Sequence, residues 1–277
     1  MKNYLCILFA ILIISLSSCK EKVDFDLNTD ENARLVVEGS VTDQAKAHVV
    51  NLTRTSSYYE NQPAPRETGA TVTLFDGETY HNLVEAASGI YKTAATYKGE
   101  IGKTYTLNIV TKDGQSYSSS SKLESVASID SVLFETKIYE EGDEFLVMKH
   151  YGEEPSGVGN NYMWLVDING FNYTEDVAST SFVTDELVDG NYIDGFEFKE
   201  IHLFDLPLDD TLKFTIEMHS ISRDYYDFLS AIILETEFTG ELFSGPPANI
   251  PSNISNGGLG FFRASAVSAE YLEIVNE

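Results

Sequence analysis

The chain has 277 residues, 43% of them hydrophobic and 22% charged, with a formal net charge of −26 at pH 7 and two cysteines. That length accommodates one large or two ordinary domains, and so acidic a surface repels nucleic acid and anionic lipid headgroups, which excludes both as expected partners. The charge is uneven: residues 20–123 hold 14 acidic against 11 basic side chains, and residues 124–277 hold 30 against 6. The split predicts two domains with different surfaces. The acidic half reads as a solvated, self-repelling surface, with a site for calcium or a cationic ligand as the sharper alternative.

In chain order, Lys2 precedes an uncharged apolar run over residues 5–16. The run is too short to span a bilayer, which needs ~20 apolar residues, and fits the core of a signal peptide. Leu16-Ser17-Ser18-Cys19 resembles the lipobox of bacterial lipoproteins: an aliphatic residue, two small ones, then the cysteine. Small side chains let the peptidase thread the chain, and the free thiol accepts a diacylglyceryl group before cleavage. The expectation is a signal peptide over 1–18, lipid attachment (palmitate among the acyl chains) at Cys19, and an acidic tether over 19–32. Several acyl chains, at about 0.8 kcal/mol per buried methylene, hold a protein on a membrane without a spanning helix. Outer-membrane placement is expected, with the surface-exposed side favoured by the charged stretch 20–26; an ordinary secretory signal with a chance cysteine is the alternative. Cys6 leaves with the signal and Cys19 is acylated, so the mature chain has no thiol for a disulfide, a thiolate metal site or a nucleophile.

Residues 33–123 read as a sandwich. The β-branched runs 33–42 and 48–55 come first, and a loop over 58–68 carries Asn61, Pro63 and Pro65. Runs 70–75 and 79–83 are joined at Asp76-Gly77, a hairpin turn signal. Runs 89–93, 103–110 and 115–119 follow, the last two meeting at Asp113-Gly114. About seven short strands at this spacing predict an immunoglobulin-like sandwich. Residues 124–277 read as a second, acidic, β-rich domain. Its strand-like runs are 129–134, 145–150 and 162–168, and Asn169-Gly170 turns the last into 171–174. Runs 197–204 and 212–219 alternate clearly. Ser222 caps a helix over about 223–238, in which Tyr225, Phe228, Leu229, Ile232 and Ile233 fall at helical spacing, and Gly240 stops it. Three prolines make 245–253 irregular, and 258–265 and 269–275 close the chain as strands. The fold class is therefore mainly β.

Several segments together resemble one family. They are the lipobox, Arg34-Leu-Val-Val-Glu-Gly39, Gly69-Ala-Thr-Val-Thr-Leu74, Gly89-Ile-Tyr91, Gly102-Lys-Thr-Tyr-Thr-Leu107, Asp113-Gly-Gln-Ser-Tyr117, Ile129-Asp-Ser131, Pro246-Pro-Ala-Asn249 and Gly258-Leu-Gly-Phe-Phe-Arg-Ala264. In this order they resemble the domain-of-unknown-function family forty-two forty-nine of Bacteroidota outer-membrane lipoproteins, over nearly the whole mature chain. The resemblance implies a cell-envelope lipoprotein, often encoded beside TonB-dependent outer-membrane transporters, and supplies no catalytic residues. Gly69-Ala-Thr-Val followed by Gly89-Ile-Tyr is also similar to the prealbumin-like sandwich modules attached to such transporters.

No Gly-x-Ser-x-Gly elbow, His-Glu-x-x-His pair or phosphate-binding Gly-x-x-x-x-Gly-Lys-Ser/Thr loop occurs in the sequence. His48, His81, His150, His202 and His219 show no ligand-like pairing, and His219, at the end of a strand pattern, is expected at the surface or half-buried. The chain is thus expected not to be an enzyme and to hold no cofactor beyond the lipid, with calcium as a weak option. Asp185, Asp189 and Asp194, in a loop with glycines, are the candidate cation ligands, because hard cations need several oxygens; a solvated loop is the plainer reading. Residues 167–172 resemble a calcium loop but read as a hairpin. Glu140-Glu141 and Asp209-Asp210 are the carboxylate pairs that an acid/base reaction would need. Tyr58 and Tyr59, in a loop, are the candidate ligand contacts, whereas Trp164, Phe171 and Tyr173 lie in strands and read as core. Asp130-Ser131-Val132 and Asp210-Thr211-Leu212 resemble bacterial O-glycosylation acceptors, with Ser131 and Thr211 as the attachment points. The expected function is a non-catalytic ligand-binding or accessory partner of a TonB-dependent transporter in nutrient uptake. A structural or adhesive surface protein is the alternative, and an uncharacterised hydrolase the third reading.

Overall fold

Strict alternation of apolar and polar residues decides most of the architecture. In Thr104–Val110, Tyr105, Leu107 and Ile109 point inward while the intervening polar residues face out. The computed structural model describes residues 33–56, 63–139, 142–236 and 250–275. In the first half the strands are β1 (Leu35–Thr42), β2 (Val49–Arg54), β3 (Thr71–Phe75), β4 (Tyr80–Asn82), β5 (Val84–Ala87), β6 (Ile90–Lys92), β7 (Thr104–Val110) and β8 (Ser116–Lys122). The second half holds β9 (Ser131–Ile138), β10 (Glu144–Glu153), β11 (Asn161–Ile168), β12 (Phe171–Asn172), β13 (Ser181–Thr184), β14 (Tyr192–His202) and β15 (Thr211–Ser220). Helix α1 (Arg223–Thr236), β16 (Leu259–Ser265) and β17 (Val267–Val275) complete it.

Among the described residues the expected mainly β fold with one helix near the C-terminus is what forms. Sheets β16-β1-β2-β6-β5 and β4-β3-β7-β8 enclose one core, with Leu35, Val37, Leu52 and Tyr91 meeting Leu74 and Leu107. Two of the family-like segments meet at its edge. The Tyr91 hydroxyl accepts from the Ala70 N–H at 3.0 Å, and the Glu85 carboxylate accepts from the N–H groups of Gly69 and Gly89 at 2.9 and 3.0 Å.

A second core lies between sheet β14-β10-β9 and sheet β12-β11-β15-β17, with β13 also paired to β11. Met148 and Phe198 pack there against Trp164, Val166, Phe214 and Ile216. Strand β11 is covered on both faces, which explains the unbroken apolar run from Tyr162 to Val166: Trp164 enters the core, and Met163 lies under α1 with Leu229. The β11–β12 turn holds Asn169 at φ 53° and Gly170 at φ 87°, the left-handed pair that a two-residue hairpin requires. The Ser222 hydroxyl accepts from the Tyr225 N–H at 3.2 Å and caps α1; the expected stop at Gly240 lies outside the described residues.

The placement of β16 departs from the sequence reading. Grouped by sequence position with the acidic half, it pairs in parallel with β1 from Val36–Leu259 to Thr42–Ser265, and its Phe262 and Ala264 join the first core. The Asn253 side chain grips the same strand, donating to the Phe262 carbonyl at 2.7 Å and accepting from the Phe262 N–H at 3.0 Å. One residue later, after the fully buried Ala266, β17 pairs with β15 in the second core's sheet. Residues Arg34–Glu277 accordingly form one compact unit. The segment 203–205, read as the end of a strand, is a 3₁₀ turn, and β5 and β13 are strands that apolar periodicity did not reveal.

Candidate functional site

Strands β10, β11, β13, β14 and β15 surround a cavity of about 530 Å³ in the second core, within the range of about 300–1,000 Å³ usual for small-molecule sites. Strand β10 slips register against β14 at Met148/Lys149 and at His150/Tyr151. Such bulges re-aim side chains, and His150 and Phe196 both line the cavity. Pro155 cannot continue the ladder, so the chain leaves β10 after Glu153 and turns Glu154 inward, where it is 4% exposed.

Glu154 Oε1 accepts from the Tyr162 hydroxyl and from Asn160 Nδ2, both at 2.9 Å, while Oε2 is buried without a partner. Among the described residues no lysine or arginine lines the cavity. Burial therefore pushes the Glu154 carboxyl up, the charges of Asp185 and Asp189 add to the rise, and the two hydrogen bonds oppose it. Burial and the Glu154 charge likewise raise Tyr162. Trp164, 2% exposed, has Phe196 at 5.3 Å, Phe198 at 5.6 Å and His150 at 5.8 Å between ring centroids, yet its indole N–H has no acceptor. His150 Nδ1 is also unpartnered, and burial lowers this imidazole to about 4 against a weaker pull from Asp130. Among the described residues five buried side-chain polar atoms have no partner, and three of them belong to this one cavity. Each such atom costs roughly 1–3 kcal/mol unless something bonds it, and all three belong to side chains that line this cavity, which makes it the candidate ligand site. At the rim, Leu187 is exposed, Arg223 reaches Glu186 at 3.3 Å, and its guanidinium lies 5.3 Å above the Tyr226 ring.

The candidate cation ligands do not assemble. Asp185 accepts from the N–H groups of Gly159 at 3.0 Å and Asn160 at 3.1 Å, Asp189 accepts from Gly157 N–H at 2.5 Å, and Asp194 sits on β14 opposite Tyr151. Backbone N–H groups thus bond both oxygens of Asp185 and one of Asp189, tying the 157–160 loop to the 185–189 segment. Among the described residues no group of three or more His, Cys, Asp or Glu is placed to hold a metal ion. Cys19, Tyr58 and Tyr59 lie outside the described residues, as do Glu140 and Glu141. Ser131 and Thr211 are the first residues of β9 and β15 and are half-buried.

His219 corrects its expectation: it is fully buried. Its Nε2 lies 3.0 Å from Glu217 Oε2 and its Nδ1 3.2 Å from Arg263 Nη1, and Gln44 Nε2 donates to Glu217 Oε1 at 2.7 Å, so this polar cluster joins the two cores. Phe171 is exposed, and the Tyr173 hydroxyl donates to the Asp205 carbonyl at 2.7 Å. Trp164 is buried as expected of core but also lines the cavity. Glu154 and His150 carried no sequence signal beyond Pro155, which ends the strand beside them. A second cavity, of about 560 Å³, runs along α1 and β16 and is lined by Tyr225, Phe228 and Arg263.

Two β cores joined through β16 and β17, with one capped helix, define a sandwich-like, mainly β protein. The family model described as Domain of unknown function (DUF4249) matches residues 20–270, and the chain belongs to that family. No curated protein matches it. No helix among the described residues is long and apolar enough to cross a membrane.

Proposed function

We propose that the chain is a lipid-anchored, non-catalytic lipoprotein of the outer membrane whose second core binds a small molecule for a TonB-dependent transporter. The observation that carries the binding role is the cavity of about 530 Å³ lined by Glu154, Trp164 and His150, each of which holds one buried polar atom without a protein partner. Buried polar atoms left unbonded lower stability, and proteins keep such a cost where binding requires it. The Leu16-Ser17-Ser18-Cys19 segment supports the anchor, and the resemblance of the sequence segments to outer-membrane lipoproteins motivates the cell-envelope setting and the transporter partner.

The anchor is tested by Cys19→Ser in the native host. The expected result is complete transfer of the chain from the membrane pellet to the soluble envelope fraction; a variant that still sediments with membranes would remove the anchor and the placement built on it. The transporter role is tested by cross-linking and affinity capture of the full-length chain from intact envelopes, where a TonB-dependent receptor is the expected partner. Its absence, together with normal growth of the deletion strain on every defined nutrient tried, would count against it.

A further inference from the structure

We propose that the cavity selects an amphipathic amine, whose ammonium group bonds Glu154 Oε2 while its apolar body lies against Trp164 and Phe196. This deepens the ligand-binding reading above and rests on it. The head group follows from charge. Glu154, Asp185 and Glu186 line the cavity, no lysine or arginine among the described residues does, and Arg223 at the rim is paired with Glu186, so an anionic ligand meets net repulsion. Glu154 Oε1 already has two donors, and the free Oε2 lacks a cation or a donor. An ammonium supplies both the proton donor and the missing counter-charge, and hydrogen bonds to charged groups are the strong ones. The surrounding rings of Trp164, Tyr162 and Phe196 add the electrostatic attraction that aromatic faces offer a cation.

The body of the ligand follows from the walls. Most of the remaining lining is aromatic or aliphatic, including Phe182, Val183 and Met218. A sugar, with a hydroxyl on nearly every carbon, would leave most of its polar atoms unbonded there. The Trp164 indole N–H asks for one acceptor, so a ligand carrying a hydroxyl or carbonyl beside its amine completes the site.

The chain carries its own reporter, because Trp164 is the single tryptophan. The full-length chain, solubilised in a non-aromatic detergent, is titrated with 2-phenylethylamine, 2-phenylethanol and phenylacetate, which share one body and differ in head group. The expected result is a saturable change in tryptophan emission with the amine, at least about tenfold weaker binding of the alcohol, and no response to phenylacetate over the same range. Glu154→Gln is expected to erase the preference for amine over alcohol while leaving the melting temperature unchanged or raised. Equal or tighter binding of the alcohol or the carboxylate would overturn the amine selection while leaving the cavity a ligand site. No response to any of the three would overturn both this proposal and the ligand-binding reading. The head-group series on the unsubstituted chain decides between these outcomes even if the variant fails to fold.

Discussion

Gly260→Ala is expected to lower stability by more than about 4 kcal/mol, the range reached only when backbone or core is forced apart. Gly260 has φ +83°, and a methyl group on its Cα would stand 2.1 Å from the Val37 carbonyl oxygen. Val37 is its partner in the parallel β1–β16 ladder. Neither atom sits on a flexible side chain, so relief requires opening the ladder. Opening it withdraws Phe262 and Ala264 from the first core and releases the strand that leads into β17. Gly257→Ala is the control. Its φ of +71° is equally unfavourable to a side chain, but its added methyl meets nothing within 4 Å, so it should cost only the roughly 1–3 kcal/mol of backbone strain. Urea denaturation of both variants checks this. Equal losses would show that the close approach of β16 to β1 contributes nothing.

Acidification is expected to destabilise the protein steeply between pH 6.5 and pH 4. His150 and His219 ordinarily titrate near 6.5 when unfolded, and burial lowers both to about 4 in the folded chain. For His219 the Glu217 carboxylate pulls the value back up and the Arg263 guanidinium pushes it further down. Between those pH values the unfolded chain binds more protons, so stability falls as pH falls, by on the order of 3 kcal/mol per histidine at most. Glu217, held down to about 2 chiefly by its hydrogen bond to His219, extends the loss below pH 4.5. Glu154 acts in the opposite sense, since a carboxyl raised by burial is relieved by protonation, and it offsets part of the slope. The urea midpoint measured from pH 7 to pH 4 should drop throughout this window. His219→Gln, which keeps an acceptor for Arg263 and a donor for Glu217, should flatten the profile. A constant midpoint from pH 6.5 to pH 4.5 would show that neither imidazole is buried in its neutral form.

Local signals in the sequence were dependable where the physics is local. Asn169-Gly170, Asp76-Gly77 and Asp113-Gly114 each join neighbouring strands because left-handed backbone is cheap at Asn169, Gly170, Gly77 and Gly114, and Ser222 caps α1 because its hydroxyl accepts from the N–H three residues on. The partner of β16 was not legible. Its apolar alternation announces a strand, but nothing in residues 258–265 states that a segment more than 200 positions upstream will lie beside it, and the steep change in charge near residue 123 directed the grouping elsewhere. β5 escaped because all four of its residues are exposed and leave no periodic trace.

The candidate site was the least legible part. Glu154 stands among Glu153 and the many acids of its half, and only the fold reveals that it, like Asp185, is buried, with its carboxylate bonded by Tyr162. Trp164 was read as core, which is true of its burial and silent about its unbonded N–H. Asp185, the candidate cation ligand, lines the cavity, and its carboxylate accepts from the backbone N–H groups of Gly159 and Asn160.

The most direct measurement of the binding claim is a crystal structure of the full chain grown with 2-phenylethylamine, at a resolution that shows ordered water. The amine nitrogen is expected about 3 Å from Glu154 Oε2, with the phenyl ring against Trp164 and Phe196. A cavity collapsed on itself, with Glu154 Oε2, Trp164 Nε1 and His150 Nδ1 all bonded to protein atoms, would contradict the account.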